Sequence, residues 1–269
     1  MILPASYANG FAPRDGRPLY PELWKGCVGA WAPCLGPTGL TLRDWSGFGN
    51  HGTLTNMDAG TDFVIQSGKY VLDFDGSNDY VDLGLILGTR SQFTMSVWFQ
   101  KTAATRAYLL GRNTSGGEFF AQGVGFELYG TVAYINYFGA NAVTDYAQFN
   151  WNLTGYHHWC LVFDGNQTTN DTKTKVYVDG VSQTLTFAGT VPATITANVS
   201  LKLARRDWSV SHSLCQSDDV RVYDRPLRDE DVRMLASGRG IAYEMAPRRR
   251  SSSAVQFNRR RRLLLGVPS

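Results

Sequence analysis

Residues 158–180 constrain the fold more than any other stretch of the chain. His158-Trp159-Cys160-Leu161-Val162-Phe163 and Lys175-Val176-Tyr177-Val178 alternate along their length, and each run closes on Asp-Gly, at Asp164-Gly165 and Asp179-Gly180. Alternation at period two sets Trp159, Leu161 and Phe163 on one face of a strand and His158, Cys160 and Val162 on the other. Val176 and Val178 repeat the pattern, and Asp-Gly supplies the turn. Units of this kind specify a sheet held by burial of a face.

The rest of the chain agrees. At 43 % hydrophobic and 13 % aromatic it can bury a sizeable core, and 28 glycines with only five glutamates favour strands and turns over helices. Its 269 residues fit one large β domain with extensions. No apolar run reaches the roughly 18 residues of a membrane span, and Met1–Tyr7 carry neither a basic leader nor an apolar stretch, so no secretory signal is expected. The four cysteines (Cys27, Cys34, Cys160, Cys215) make no C-x-x-C pair. Cys160 and Cys215 lie in apolar strand patterns and read as small hydrophobes, which argues against zinc.

Three regions follow. Residues 1–22 hold Pro4, Pro13, Pro18 and Pro21 with little periodicity and read as an extended arm. Residues 23–244 are a succession of strand patterns, clearest at 70–74, 93–99, 108–111, 125–129, 132–137, 158–163, 175–178, 201–203 and 219–223. With no helical stretch between them, they predict an all-β, antiparallel two-sheet sandwich. One short helix is expected after Pro226, where Leu227, Val232, Leu235 and Ala236 have helical spacing and Gly238 can cap the end. Residues 245–269 are a basic tail. It holds seven arginines and no acid, and removing those charges from the net +3 leaves −4 for residues 1–245.

Four segments, in order, carry a family resemblance. Asp44-Trp45-Ser46-Gly47-Phe48-Gly49-Asn50-His51-Gly52-Thr53 resembles the D-x-S-G-x-G-N-H-G-T segment of laminin-G-like, concanavalin A-like sandwich domains. Leu72–Val81, Trp159 with Tyr177–Gly180, and Asp218–Leu227 match further segments, so the likeness covers residues 24–240. The resemblance implies a jelly-roll sandwich whose Ser46–Gly52 loop packs beside the Asp218–Asp219 strand. It leaves function open, because one fold hosts many activities.

The resemblance also implies a structural Ca²⁺ in that loop. Asp44, Asn50 and Asp219 offer hard oxygens, and the carbonyls of His51 and Gly52 could complete a shell. The competing reading is that Asp44 and Asn50 cap turns through side-chain to backbone hydrogen bonds. Asp75, Asn78 and Asp79 form a second oxygen-rich turn, for which turn chemistry is preferred.

Several catalytic patterns fail on their context. Gly47-x-Gly49-x-x-Gly52 satisfies the dinucleotide-binding spacing, but strand-like Thr53-Leu54-Thr55 follows where a helix is required. Retaining glycosidases need two carboxyls about 5–5.5 Å apart, and no E-x-D-x-x-E run exists. Asp73 and Asp75 have the right spacing, but within a turn. His157 and His158 point to opposite faces, and no H-E-x-x-H or G-x-S-x-G run occurs. The chain is therefore expected to be non-catalytic.

Carbohydrate binding is one reading of the aromatics, with Trp151 and Trp208 beside loops and Tyr137 in a strand pattern as the candidates, whereas the ordinary role of most such rings is to fill a sheet face. For the tail, Arg248, Arg249, Arg250, Arg259, Arg260, Arg261 and Arg262 read as a docking segment, with Leu263–Leu265 as an apolar anchor. Nucleic acid is set aside, since no aromatics interleave with the arginines. Arm and tail point to an oligomeric assembly subunit, and similar domains are displayed on bacteriophage virions. The leading expectation is a virion protein (head decoration, fibre or tail), assembled in the host cytoplasm, that adheres to host surface glycans. The alternatives are a soluble calcium-dependent lectin module, extracellular or at the cell surface, and then a glycan-cleaving sandwich enzyme.

Overall fold

The computed structural model describes residues 21–102, 106–112, 123–139, 142–152, 154–195, 200–206 and 211–237. The arm up to residue 20, Gly238 and the arginine tail lie outside the described residues.

In chain order the early strands are β1 (Cys27–Trp31), β2 (Thr41–Leu42), β3 (Gly52–Thr55), β4 (Phe63–Gln66), β5 (Lys69–Asp75), β6 (Tyr80–Asp82) and β7 (Gln92–Lys101). Next come β8 (Ala107–Arg112), β9 (Gly123–Tyr129), β10 (Val132–Gly139), β11 (Ala142–Asn150), β12 (His157–Asp164) and β13 (Thr174–Val178). The last are β14 (Val181–Ser182), β15 (Thr186–Ala188), β16 (Lys202–Leu203), β17 (Arg205–Arg206), β18 (Ser211–His212) and β19 (Leu214–Tyr223). Three short helices, α1 (Pro21–Trp24), α2 (Asn170–Lys173) and α3 (Asp229–Ala236), complete the described elements.

The described strands form two large antiparallel sheets, with β17 and β18 paired as a separate two-stranded ribbon. The first runs β14-β13-β12-β7-β19-β5-β4, with β1 also on β19, and the second runs β15-β11-β10-β9-β8-β16-β6-β3-β2. Eight of the nine strand patterns read from the sequence fall wholly on strands, the ninth (201–203) coincides with β16 except at Leu201, and the helix after Pro226 is α3. Inward residues of β7 (Phe93, Met95, Val97, Phe99) and β12 (Trp159, Leu161, Phe163) meet Val124, Phe126 and Leu128 of β9 in one inter-sheet core.

The first sheet is covered on its outer side as well. Cys160 and Val162 of β12, Tyr177 of β13 and Tyr223 of β19 pack with Leu227, Val232 and Leu235 around α3 and Leu23 of α1 in a second apolar cluster. The alternating face of β12 thus meets a helix, not water, and six consecutive residues of the strand are buried. The acidic first turn of α3 (Asp229, Glu230, Asp231) suits its N-terminus.

Only one of the two Asp-Gly pairs makes the tight hairpin. Asp179 (φ 51°) and Gly180 (φ 78°) join β13 to β14 with both central residues left-handed, the geometry of a two-residue turn matched to strand twist. Asp164-Gly165 opens instead into the longer connection that carries α2. In β19 a bulge between Asp218 and Arg221, with Asp219 at φ 41°, shifts the alternation. Cys215 before the bulge and Val220 and Val222 after it all reach the inter-sheet core.

Candidate functional site

The chain from β1 to β3 crosses from the first sheet to the second, and this crossing builds the site. Asp44 forms an isolated bridge with Trp31, and the Trp45 amide donates to the Ala30 carbonyl at 2.7 Å. The loop that follows is thereby fastened to β1, whose Trp31 is in register with Val220 of β19. The Ser46–Gly52 loop therefore lies one strand removed from Asp219.

The Asp44 carboxylate organises this loop. Its Oδ1 accepts from the Ala30 amide at 2.9 Å and the Ser46 amide at 2.8 Å. Its Oδ2 accepts from the Ser46 hydroxyl at 2.7 Å and the Asn50 amide at 2.9 Å. Asn50 returns the chain to β1, since its Nδ2 donates to the Val28 carbonyl at 2.8 Å and its carbonyl accepts from Trp31 Nε1 at 2.7 Å. Gly49 turns with φ 78°, a left-handed conformation that glycine enters freely. The Asp-x-Ser-Gly-x-Gly-Asn pattern is accounted for by these bonds.

Between this loop and the Pro33–Thr41 segment lies a cleft of about 470 Å³. Arg43, Asp44 and His51 line it from one side, and Leu35, Thr38 and Thr41 from the other. The Arg43 guanidinium stacks over the buried Trp45 indole, 4.5 Å from the ring centroid. The Asp44 amide donates to His51 Nδ1 at 3.1 Å, so the neutral imidazole carries its hydrogen on Nε2. The Thr38 hydroxyl donates to the Thr41 carbonyl at 2.7 Å. Leu35 (53 % exposed), Leu40 (68 %) and Phe48 (53 %) stand on the same two loops, and the lining of the cleft is itself mostly apolar, Leu35 included.

The aromatics chosen from the sequence lie elsewhere. Tyr137 is buried in the inter-sheet core, where it shares a short hydrogen bond with Thr174 Oγ1, and burial raises its phenol above the usual range. Trp151 is buried too, its ring 4.4 Å from that of Trp159. Neither ring presents a face to a ligand, which corrects both assignments: a tryptophan just past a strand end has folded back onto the core. Trp208 and the seven tail arginines lie outside the described residues.

The three oxygen donors named for calcium are differently engaged. Both oxygens of Asp44 already accept two hydrogen bonds each, which fills the roughly four lone-pair sites of a carboxylate. Asp219 is buried beside Arg221, whose Nε donates to Asp219 Oδ1 at 2.8 Å. Placed like this, the donor set does not fit a calcium shell, and the turn-capping reading accounts for Asp44 and Asn50. Among the described residues, no three His, Cys, Asp or Glu side chains gather into a group that could hold a metal.

Nor are the nearby titratable groups poised as nucleophiles. Burial pushes the Cys34 thiol up to about 12, with the Asp218 charge adding to it, so the thiol stays protonated at neutral pH. Burial likewise raises the Asp218 carboxyl, while the Lys69 ammonium 2.5 Å away opposes the shift. The cleft residues Leu35, Thr38, Thr41 and Arg43 had no sequence signal beyond a Pro- and Gly-rich stretch flanking the resemblance motif.

The family model of the concanavalin A-like lectin/glucanases superfamily matches residues 75–233, more than half of the chain. A search of curated proteins gave no match. Among solved structures, the Trypanosoma rangeli sialidase in complex with sialic acid is similar at a TM-score of 0.57 and 15 % identity, over 88 % of this chain and 37 % of that one. The binding domain of botulinum neurotoxin DC in complex with SialylT is similar at 0.55 and 11 % identity, over 80 % of this chain and 52 % of that one. The alignments thus span less than two thirds of either structure, and the likeness is one of fold.

Proposed function

The chain belongs to the concanavalin A-like lectin/glucanase superfamily, and from that premise we propose that it is a non-catalytic carbohydrate-binding module whose ligand sits in the cleft between residues 35–43 and 44–51. The observation that carries this reading is the cleft itself, a recess of about 470 Å³ whose lining is mostly apolar, with Arg43, His51 and two threonines on its walls, between two loops that also bear Leu35, Leu40 and Phe48 in exposed positions. Saccharides present both hydroxyl edges and apolar C–H faces, and a mostly apolar recess that carries a few polar side chains is the surface expected to receive them. The sialic acid and SialylT of the two similar structures belong to those proteins, and they support the reading by showing that this fold occurs in proteins solved with saccharides.

The non-catalytic part rests on charge. The one carboxylate lining the cleft is Asp44, and its oxygens are committed to four donors. Glycoside hydrolysis by the usual route needs two carboxyls, one of them free to move a proton.

Glycan-array binding of the wild-type protein, repeated with Phe48→Ala and Leu35→Ala, tests the proposal. Both side chains are exposed, so their loss leaves the fold intact. Binding that weakens in both variants supports the cleft, and binding unaffected by either refutes the site.

A second reading, that the module is carried on a virion, is favoured by the acid-free arginine tail and the proline-rich arm. It predicts that removing residues 1–22 or 246–269 abolishes co-sedimentation with particles while the sandwich stays folded. Full incorporation of both truncated forms would end it.

A further inference from the structure

We infer that the cleft selects a saccharide that buries a methyl group, a 6-deoxy or an N-acetylated sugar, over its fully hydroxylated counterpart. This rests on the carbohydrate-binding reading above and goes further, because it follows from what the walls of the recess are made of. Apolar atoms make up most of the lining. Leu35 brings a large apolar side chain to it, and Gly47 and Gly49 bring no polar side chain. Thr38 has its hydroxyl bonded to the Thr41 carbonyl at 2.7 Å, which leaves its methyl as the part without a partner. Asp44 adds little to this surface, since it is 2 % exposed and its oxygens hold the Ser46–Asn50 loop.

A sugar that enters such a recess lays a face or a substituent against carbon. A hydroxyl placed there gives up water for no hydrogen bond, which is unfavourable. A methyl group placed there leaves water at a gain. Discrimination over one hydroxyl by an apolar pocket stays within about a hundredfold, and about tenfold is expected where part of the lining is polar. Arg43, His51 and Thr41 supply that polar part. Selection by the methyl group does not depend on how many of their hydrogen-bonding groups are uncommitted.

The surroundings extend the same character. Leu40 and Phe48, exposed next in sequence to the lining residues Thr41, Gly47 and Gly49, continue the apolar surface beyond the recess. At about 470 Å³ the recess itself has the size of a small-ligand site.

Isothermal titration of the full chain with two matched pairs, L-fucose against L-galactose and N-acetyl-D-glucosamine against D-glucose, tests the inference. The sugars of each pair differ at one position, and the two pairs separate the two sources of the methyl group. In at least one pair the methyl-bearing sugar should bind about tenfold tighter, with a more negative heat-capacity change from apolar burial. The preference should persist as sodium chloride rises, since no charge is being screened. Leu35→Asn, at an exposed side chain whose change leaves the fold intact, should pull the ratio toward one. Thr38→Ser keeps the hydroxyl that bonds Thr41 and removes only the methyl, so it should lower the ratio by less. Equal binding within both pairs, or a ratio that neither variant moves, overturns the methyl preference and leaves the carbohydrate reading standing. No binding to these sugars or to any glycan of the array overturns both.

Discussion

Asp44 Oδ2 accepts the Asn50 amide at 2.9 Å, and Asn50 in turn donates to the Val28 carbonyl at 2.8 Å, so one carboxylate closes a loop onto the edge of β1. Removing it leaves four donors without their acceptor, two of them from the nearly buried Ser46. A buried donor stripped of its partner costs about 1–3 kcal/mol, and water can reach only the outer part of this loop. Asp44→Ala is therefore expected to lose about 3 kcal/mol or more in urea unfolding, and Asp44→Asn somewhat less. A loss below about 1 kcal/mol would show that the loop stands without its carboxylate.

The same bonds bear on calcium. A carboxylate with four donors already around it has no oxygen lone pair to offer a cation. Thermal unfolding in millimolar Ca²⁺ and in excess EDTA should give the same midpoint. A rise with Ca²⁺ that Asp44→Asn abolishes would mean that the loop exchanges its hydrogen bonds for metal ligands, because a ligand of the folded state raises apparent stability by mass action.

The elements that were legible in the sequence are those whose side chains alternate in burial over a long run. β7, β12 and β13 carry apolar residues at every second position, and their pairing follows from burying one face. β1 was not legible. Cys-Val-Gly-Ala-Trp has little strand propensity, and it is a strand because β19 offers it an edge and the Trp31 indole lies over Gly29. β11 reads Ala-Val-Thr-Asp-Tyr-Ala-Gln-Phe-Asn, with small and polar residues diluting its alternation. The site was harder still. Tyr137 and Trp151 have the composition of ligand-binding aromatics, but burial is a tertiary property that type and spacing do not encode. The cleft needs the Pro33–Thr41 segment to meet the Ser46–Asn50 loop, and that meeting depends on the chain crossing between sheets.

Two glycines of this crossing should respond to substitution for different reasons. A Cβ on Gly29 would run into the Trp31 indole, which is fully buried and tied to the Asn50 carbonyl at 2.7 Å. Gly29→Ala must push that ring aside, so a loss of about 3 kcal/mol is expected from overpacking. A Cβ on Gly49 meets nothing within 4 Å, and only its φ of +78° resists alanine. Gly49→Ala should cost about 1 kcal/mol, the strain of a left-handed alanine. Equilibrium unfolding of both variants checks the order, and an equal loss at the two positions would contradict the packing described for Trp31.

His158 should make the fold acid-sensitive over a defined window. It is buried on the outer face of β12, its Nε2 2.8 Å from Ser96 Oγ, and burial pulls its imidazole down from 6.5 to about 4, against the opposing charge of Asp219. The unfolded chain takes up this proton near pH 6.5 and the folded chain only near 4. Between those values the unfolded state holds more protons, so stability is fully present above about 6.5 and drains away toward 4, by about 3 kcal/mol in all. Asp79 works in the opposite sense, because burial raises its carboxyl to about 6 and the folded state then holds the extra proton as pH falls from 6 toward 3.8. Asp218, whose carboxyl burial also raises, acts in the same sense as Asp79, so in the wild-type curve these carboxyls partly offset the loss from His158. His158→Gln keeps a polar partner for Ser96 and should flatten the loss between pH 6.5 and 4, whereas Asp79→Asn should steepen it. Urea midpoints at half-unit steps of pH separate the two contributions, and a His158→Gln profile parallel to wild type would show that the imidazole is not held neutral.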